Sequence, residues 1–179
     1  MPFGFTHMFF SWAVAKVMQY FKKINFSMIE WFALLFGSIF PDVDYLLQWV
    51  SGNGVHRLLT HSLLMIVFSF LLSYAIFYYI KKILKKDWNI KKIALLFSLG
   101  IASHIVLDMF TGKPGVPLLW PLDKWFYFFG VLQEPFRSVA FDERNIEILV
   151  SNVKWGIFDI GLGTAWLFYF MIRNKLKDM

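Results

Sequence analysis

Apolar stretches separated by short polar segments dominate the chain. Five long stretches each contain at most one Asp, Glu, Lys or Arg; they cover residues 3–20, 26–40, 58–80, 93–110 and 155–172. A helix needs about 20 apolar residues to cross about 30 Å of hydrocarbon, and unpaired strands are not tolerated there. The pattern therefore predicts an all-α fold, with one domain over residues 1–179 built as an integral membrane bundle of about five transmembrane helices. The second stretch is short for a span, so it is predicted to tilt, to lie in the interface or to thin the bilayer locally.

A long segment rich in Pro, Trp and Phe joins the fourth and fifth predicted helices. It runs over residues 111–154 and includes GKPGVPLLWPLDKWFYFFG. Aromatic rings suit the headgroup region of a membrane. We therefore expect an interfacial loop or short helices here, which act either as a lid over a site or as a plain membrane anchor. A re-entrant piece at 116–131 would instead make a chain of six helices.

Composition supports a membrane protein and narrows the function classes. The chain is 58% hydrophobic and 17% charged, against about 45–50% apolar and about 25% charged in soluble domains. Its net charge of +6 comes from basic residues that cluster between apolar stretches, which argues against nucleic-acid binding. The absence of cysteine excludes a disulfide framework and a thiol nucleophile. Without a phosphate-binding glycine loop, HExxH or GxSxG, nucleotide-driven transport, zincin and serine-hydrolase chemistry have no support.

The basic clusters orient the predicted helices. They lie at 22–23, 81–92 and 173–177, and five spans place all three on one side of the membrane. Cytoplasmic loops are enriched in Lys and Arg. We therefore predict an inner-membrane protein with its N-terminus outside and its C-terminus inside. Residues 1–15 carry no Lys or Arg, so we expect no cleavable signal peptide and expect His7 to be retained.

Histidines and isolated acids collect at the predicted outer ends of the helices. The set is His7, Asp42, Asp44, His56, His61, His104 and Asp108. His104 and Asp108 are one helical turn apart, with Cβ atoms about 5–6 Å apart, and His with carboxylate is a ligand set for zinc or a related divalent ion. Any single member could be an interfacial histidine or, like Asp42 after Pro41, a helix cap. Their convergence on one side, and the cost of ionisable groups in a membrane, favour a metal site.

Four sequence blocks carry a resemblance to a known family. They are TH at 6–7, PDVD at 41–44, HRLLTHS at 56–62 and SHIVLDMFTGKPGVPLLWP at 103–121. In this order they resemble the YdjM-type family of bacterial and archaeal inner-membrane proteins, which are regarded as metal-dependent hydrolases. The resemblance covers most of residues 5–121 and is looser beyond them. Leu58 stands where the family often has Gly.

A more distant similarity is to zinc-dependent phospholipase C and the S1/P1 nucleases, all-helical enzymes that hold a cluster of zinc ions. The first ligands of those enzymes match, in order, His7, Asp42, His56, His104 and Asp108. Their later His-x-x-x-Glu helix has no counterpart, because no histidine follows His104. The similarity therefore implies one or two divalent ions, with zinc favoured, rather than three. Glu147 could supply a late carboxylate ligand.

The hypothesis for the site has two ion positions. The first would be held by either His56 or His61, together with Asp42, His104 and Asp108. The second would be held by His7, Asp44 and a shared carboxylate, most simply Asp108. Asp44 or His61 could instead act as general base or support a ligand. Arg57 could grip a phosphate bidentately or simply face lipid headgroups.

We expect a membrane-embedded hydrolase that cleaves a phosphoester of a phospholipid or an isoprenoid carrier with a metal-activated water. Two other functions would use the same residues: a divalent-metal carrier, or a non-catalytic scaffold with a structural metal. Ligands at helix ends and the lack of an internal repeat disfavour a carrier. Seven candidate ligands exceed the four of a closed structural site. Asp159, the one charge in the fifth stretch, could orient a ligand histidine or pair with a Lys or a backbone donor.

Overall fold

The computed structural model describes residues 4–44, 59–110, 115–122, 124–128, 130–132 and 146–177. Within these residues five α-helices form: α1 (Gly4–Lys22), α2 (Met28–Gly37), α3 (Leu63–Leu84), α4 (Ile90–Phe110) and α5 (Ile146–Lys177). Two short 3-10 turns, Phe40–Val43 and Leu59–His61, precede α3. Each of the five apolar stretches thus forms a helix, and the predicted all-α class is confirmed.

The number of membrane-spanning helices is smaller than predicted. In the described part of the chain only α3 and α4 are long and apolar enough to cross a membrane. Helix α2 has 10 residues, a length of about 15 Å, which is half of a hydrocarbon core. Polar side chains such as His7 and Lys16 interrupt α1, and Lys154, Asp159 and Arg173 interrupt α5. The prediction of five spans was therefore wrong. It treated a near-absence of charged residues as sufficient for a span, and it gave too little weight to helix length and to the polar residues within the helices.

Part of the segment between α4 and α5, where an interfacial loop or short helices were predicted, forms a β-hairpin. Strands β1 (Trp125–Tyr127) and β2 (Gly130–Leu132) pair antiparallel. Val116 forms a bridge with Phe126. The hairpin region is tied to the bundle by two backbone hydrogen bonds, from Leu63 N to the Leu118 carbonyl at 2.9 Å and from Phe128 N to the Met109 carbonyl at 2.9 Å. These bonds place it against the start of α3 and the end of α4.

Helix α4 is the centre of the bundle and packs against α1, α2 and α3. Its contact with α2 is unusually close. A Cβ atom on Gly100 would lie 2.3 Å from the Leu34 carbonyl oxygen, and one on Gly37 would lie 2.2 Å from the Phe97 carbonyl oxygen. Because no side chain fits at either position, the two backbones touch, as in the small-residue contacts of membrane helices. This contact also brings Ser38, the residue after α2, against α4.

Serines mediate the packing of α3 on α4. The Ser69 hydroxyl donates to the Ile66 carbonyl at 2.8 Å, and it lies 3.2 Å from the Ser98 hydroxyl on α4. Both serines are buried, so a small polar row replaces large side chains between these helices. The opposite face of α3 is exposed and apolar, with Leu64, Phe68 and Leu71. A face of this kind is suited to contact with lipid chains.

We expect Gly100→Ala to destabilise the protein, because its methyl group would force α2 and α4 apart. Overpacking of this kind costs about 2 kcal/mol, or about 4–8 °C in Tm for a chain of this size. The measurement is thermal unfolding of the detergent-solubilised protein. Gly161→Ala on α5 is the matched control, since nothing lies within 4 Å of its added Cβ atom. Equal melting temperatures for the two variants would contradict the close contact.

Candidate metal centre

His104 is positioned from one side by the end of α2. Its Nδ1 atom lies 2.7 Å from the Ser38 carbonyl oxygen. A carbonyl oxygen can only accept a hydrogen bond, so Nδ1 carries the proton and donates. The Nε2 atom therefore presents its lone pair, which is the state that binds a metal. The side chain is fully buried, and Ser38 is held in place by the contact of Gly37 and Gly100.

His61 ends the 3-10 turn before α3, and a threonine and a carboxylate orient it. The Thr60 hydroxyl donates to Asp44 Oδ2 at 2.5 Å, and His61 Nδ1 lies 2.9 Å from the same hydroxyl oxygen. A hydroxyl has one hydrogen to give, and that hydrogen goes to the carboxylate. Nδ1 of His61 must therefore donate to Thr60, which leaves the Nε2 lone pair facing His104. Asp44 supports His61 through Thr60 and also lies 3.7 Å from Nδ1 directly.

His61, His104 and Asp108 form one group of candidate metal ligands, whose ligand atoms lie within 4.8 Å of one another, and Asp42 lies beside both histidines. His61 Nε2 and His104 Nε2 are 3.2 Å apart. Asp42 Oδ1 lies 3.5 Å from His104 Nε2 and 3.9 Å from His61 Nε2. Asp108 Oδ2 lies 3.5 Å from His61 Nε2 and 3.9 Å from His104 Nε2. A tetrahedral zinc site with ligand distances of about 2.0–2.2 Å separates its ligand atoms by about 3.3–3.6 Å. The separations of 3.2 and 3.5 Å are close to this spacing and those of 3.9 Å are longer, so small side-chain shifts would let His61, His104 and Asp108 hold one ion.

Asp108 also faces a second position, beside His7. Its other oxygen, Oδ1, lies 3.6 Å from His7 Nε2. The His7 ring stacks on the His104 ring, with centroids 3.7 Å apart. His7, Asp42 and His104 form a second group whose ligand atoms lie within 4.8 Å of one another. Because His104 has only Nε2 to give, a second ion would rely on His7 and on the carboxylates that it shares with the first.

The burial of this cluster means that a nearby positive charge would stabilise its carboxylates. The three histidines and Asp108 are almost completely buried, whereas 27% of the Asp42 side chain is exposed. A buried carboxylate is costly unless it is paired. Asp42 and Asp108 each form ion pairs with histidines, which are charged only if protonated. A divalent cation would neutralise these carboxylates, and Asp42 marks the side of the cluster that is open to solvent.

The structure brings together most of the residues that the sequence singled out. His7, Asp42, His61, His104 and Asp108 form the cluster, with Asp44 behind His61. His56 and Arg57 lie outside the described residues, and so does the side chain of Glu147; their roles stay predictions. The contacts of Asp44 with Thr60 and His61 favour the supporting role over a place beside His7 as a ligand.

Two contributors were not anticipated from the sequence. Thr60 stands directly before His61 in the motif LLTHS, so its position beside the ligand was a signal that could have been used. Ser38 acts through its backbone carbonyl, which no side-chain pattern can reveal. Its role follows only from the contact between α2 and α4.

Comparison with protein families identifies the family of this chain. Residues 1–176 match the family model described as YdjM inner membrane protein. The chain belongs to the YdjM family. The match spans nearly the whole chain, which confirms the resemblance seen in the four motif blocks and places the protein in the inner membrane. No curated protein and no solved structure matches the chain. The similarity of this YdjM protein to phospholipase C and the nucleases stays a prediction.

We expect Thr60→Val to weaken metal binding about 10–100-fold, the usual effect of losing a group that orients a ligand histidine. The substitution keeps the shape of the side chain but removes the hydroxyl that joins His61 to Asp44. Affinity for zinc is measured by competition with a chelating dye. Thr60→Ser is the matched control, since it retains the hydroxyl and should bind as the wild type does. Wild-type affinity in Thr60→Val would reject this account of how His61 is oriented.

Proposed function

We propose that this YdjM-family protein is a membrane-embedded, metal-dependent hydrolase that cleaves a phosphoester of a lipid. The observation that carries the proposal is the buried group of His61, His104 and Asp108, whose ligand atoms lie 3.2–3.9 Å apart, with Asp42 at its exposed edge. A mixed set of imidazole and carboxylate ligands favours zinc among the divalent ions. The second group with His7 is compatible with a two-ion site of the kind used to cleave phosphoesters.

The protein side of the mechanism follows from the contacts of the cluster. His61, His104 and Asp108 would hold the ion and leave a fourth position for a water; the ion would supply Lewis acidity and lower the pKa of that water toward about 7. Thr60 and Ser38 hold the two imidazoles in the tautomer that exposes Nε2. Asp42 lies at the exposed edge, where it is the carboxylate best placed to meet a substrate and to accept a proton from an entering water.

The substrate class is argued from where the cluster sits. His61 lies two residues before the start of α3, and an apolar surface groove begins beside it and continues along the exposed face of that helix. The groove is lined by Leu59, Leu64, Val67, Phe68 and Leu71. Because the headgroup of a lipid lies at the end of such a helix while its chains lie along it, a phospholipid or an isoprenyl phosphate fits this arrangement. Arg57 is the residue proposed to bind the phosphate.

Two features of the cluster distinguish an enzyme from the two alternatives, a structural metal site and a metal carrier. A structural zinc site is closed by four protein ligands, whereas the group of His61, His104 and Asp108 would supply three and leave a fourth position on the side where Asp42 is partly exposed. A carrier places its site near the middle of the bilayer, whereas His104 and Asp108 lie in the last two turns of α4. An open site at a helix end is what an enzyme that draws its substrate from the membrane surface requires.

We expect metal-loaded protein in mixed micelles to release phosphate or a phosphorylated headgroup from at least one of three probes: phosphatidic acid, phosphatidylglycerol or an isoprenyl diphosphate. Asp108→Asn should lower kcat at least about 100-fold, since it removes charge from the carboxylate that faces both ion positions. Glu30→Gln is the control, because Glu30 caps α2 and pairs with Lys92 away from the cluster. Hydrolysis that persists in Asp108→Asn and after chelation would refute the proposal.

We further propose that the cluster and the start of α1 lie on the extracytoplasmic side; the predicted position of the C-terminus inside would also require α5 to cross the membrane. The support is the distribution of basic residues: the end of α3, the turn after it and the start of α4 hold Lys81, Lys82, Lys85, Lys86 and Lys91, at the opposite ends of these helices from the cluster. Loops rich in Lys are retained in the cytoplasm.

The absence of native cysteine allows a direct test of this orientation. Lys124→Cys, near the hairpin, should react with a membrane-impermeant maleimide added to intact cells. Lys86→Cys should react only after the membrane is opened. Both positions are exposed, so access to water does not separate them. The reverse pattern, or labelling of both from outside, would overturn the orientation.

A further inference from the structure

We propose that Asp159 of α5 is a positioning residue of the metal centre: it holds the first turn of α1 and thereby sets the place of His7. This inference rests on the proposed function for its purpose, since His7 matters to catalysis only if the cluster binds metal. The structural claim itself, that one buried carboxylate on α5 governs one ring of the cluster, can be tested without any metal or substrate.

Asp159 accepts three hydrogen bonds from the start of α1. Phe5 N donates to Oδ2 at 3.2 Å, and Thr6 N and Thr6 Oγ1 donate to Oδ1 at 2.6 and 2.7 Å. The first four N–H groups of a helix lack partners within the helix, and a capping side chain normally bonds the second or third of them. Asp159 does this from another helix, more than 150 residues away in the sequence. It therefore ties the start of α1 to α5.

Gly163 and Trp166, which follow Asp159 on α5, contact the same part of α1. One turn along, a Cβ atom on Gly163 would lie 2.6 Å from the Phe5 ring, so the ring rests on the α5 backbone. Trp166 then packs against Phe9, with ring centroids 6.1 Å apart. Asp159, Gly163 and Trp166 are spaced at helical intervals and so share one face. That face fixes both the rotation of α1 and its position along its axis.

His7 follows Thr6 directly, so the placement of its ring depends on this attachment. The ring must reach both the His104 ring, at 3.7 Å, and Asp108 Oδ1, at 3.6 Å. A turn of α1 by one residue is about 100° and would remove His7 from both. The other two rings are anchored elsewhere, His61 by Thr60 and His104 by Ser38. Loss of Asp159 should therefore release His7 alone.

The test is the rate at which diethyl pyrocarbonate modifies each histidine, followed by mass spectrometry on detergent-solubilised full-length protein without added metal. In the wild type all three rings are at most 1% exposed and should react slowly. In Asp159→Ala we expect the His7 rate to rise about tenfold or more, while the His61 and His104 rates stay within about twofold. Asp159→Asn, which keeps one acceptor oxygen, should give a smaller rise. Gly161→Ala, on the same helix, should give none.

Each outcome decides the proposal. A selective rise at His7 supports it, whereas no rise, or an equal rise at all three histidines, overturns it. If Asp159→Ala does not fold, Asp159→Asn and Thr6→Val carry the same comparison, because each removes only part of the bonding to Asp159. A selective rise in a protein that binds no metal would keep the positioning role and reject the proposed function, so the two can fail separately.

Discussion

The candidate metal centre depends on the direct backbone contact between α2 and α4. Gly37 and Gly100 allow the two helices to touch, and this contact carries the Ser38 carbonyl to His104 Nδ1. The hydrogen bond at that point selects the imidazole tautomer whose Nε2 faces His61. A side chain at either glycine would separate the helices, and His104 would then be a buried ring without a fixed orientation. The chemistry proposed for the site therefore depends on glycine, with no side chain, at positions 37 and 100.

Near that contact the molecule buries two carboxylates, although burying a charged group costs free energy. Asp44 and Asp108 are 2% exposed, and burying a carboxylate costs several kcal/mol even in a relaxed protein. A hydrogen bond from Thr60 accounts for part of the compensation at Asp44. Asp108 forms ion pairs with His7, His61 and His104, which are charged only if protonated. A divalent cation would add to this compensation, and the preformed Nε2 lone pairs favour a cation over protons on the histidines.

The sequence predicted the five helices and the residues of the cluster, because both leave local signals: long apolar stretches for the helices, and ionisable groups within or beside those stretches for the site. Contacts between residues that are far apart in the sequence left no such local signal. The capping of α1 by Asp159 joins positions far apart in the chain, and Ser38 acts through its backbone. The hairpin between Trp125 and Leu132 was missed because its aromatic composition also suits an interfacial helix. The count of spans failed because the prediction counted only charged residues. Helices α1 and α5 also contain uncharged polar residues, which lower their mean hydropathy.

The most direct test of the central claim is X-ray absorption at the zinc edge, on zinc-loaded wild-type protein and on His104→Ala. The account predicts one or two zinc ions per chain in the wild type. Their spectrum should show nitrogen and oxygen ligands at about 2.0–2.1 Å and the outer-shell scattering of at least two imidazole rings. In His104→Ala the zinc content should fall and that scattering should weaken. A folded wild type that retains no zinc, or a spectrum unchanged in His104→Ala, would contradict the account.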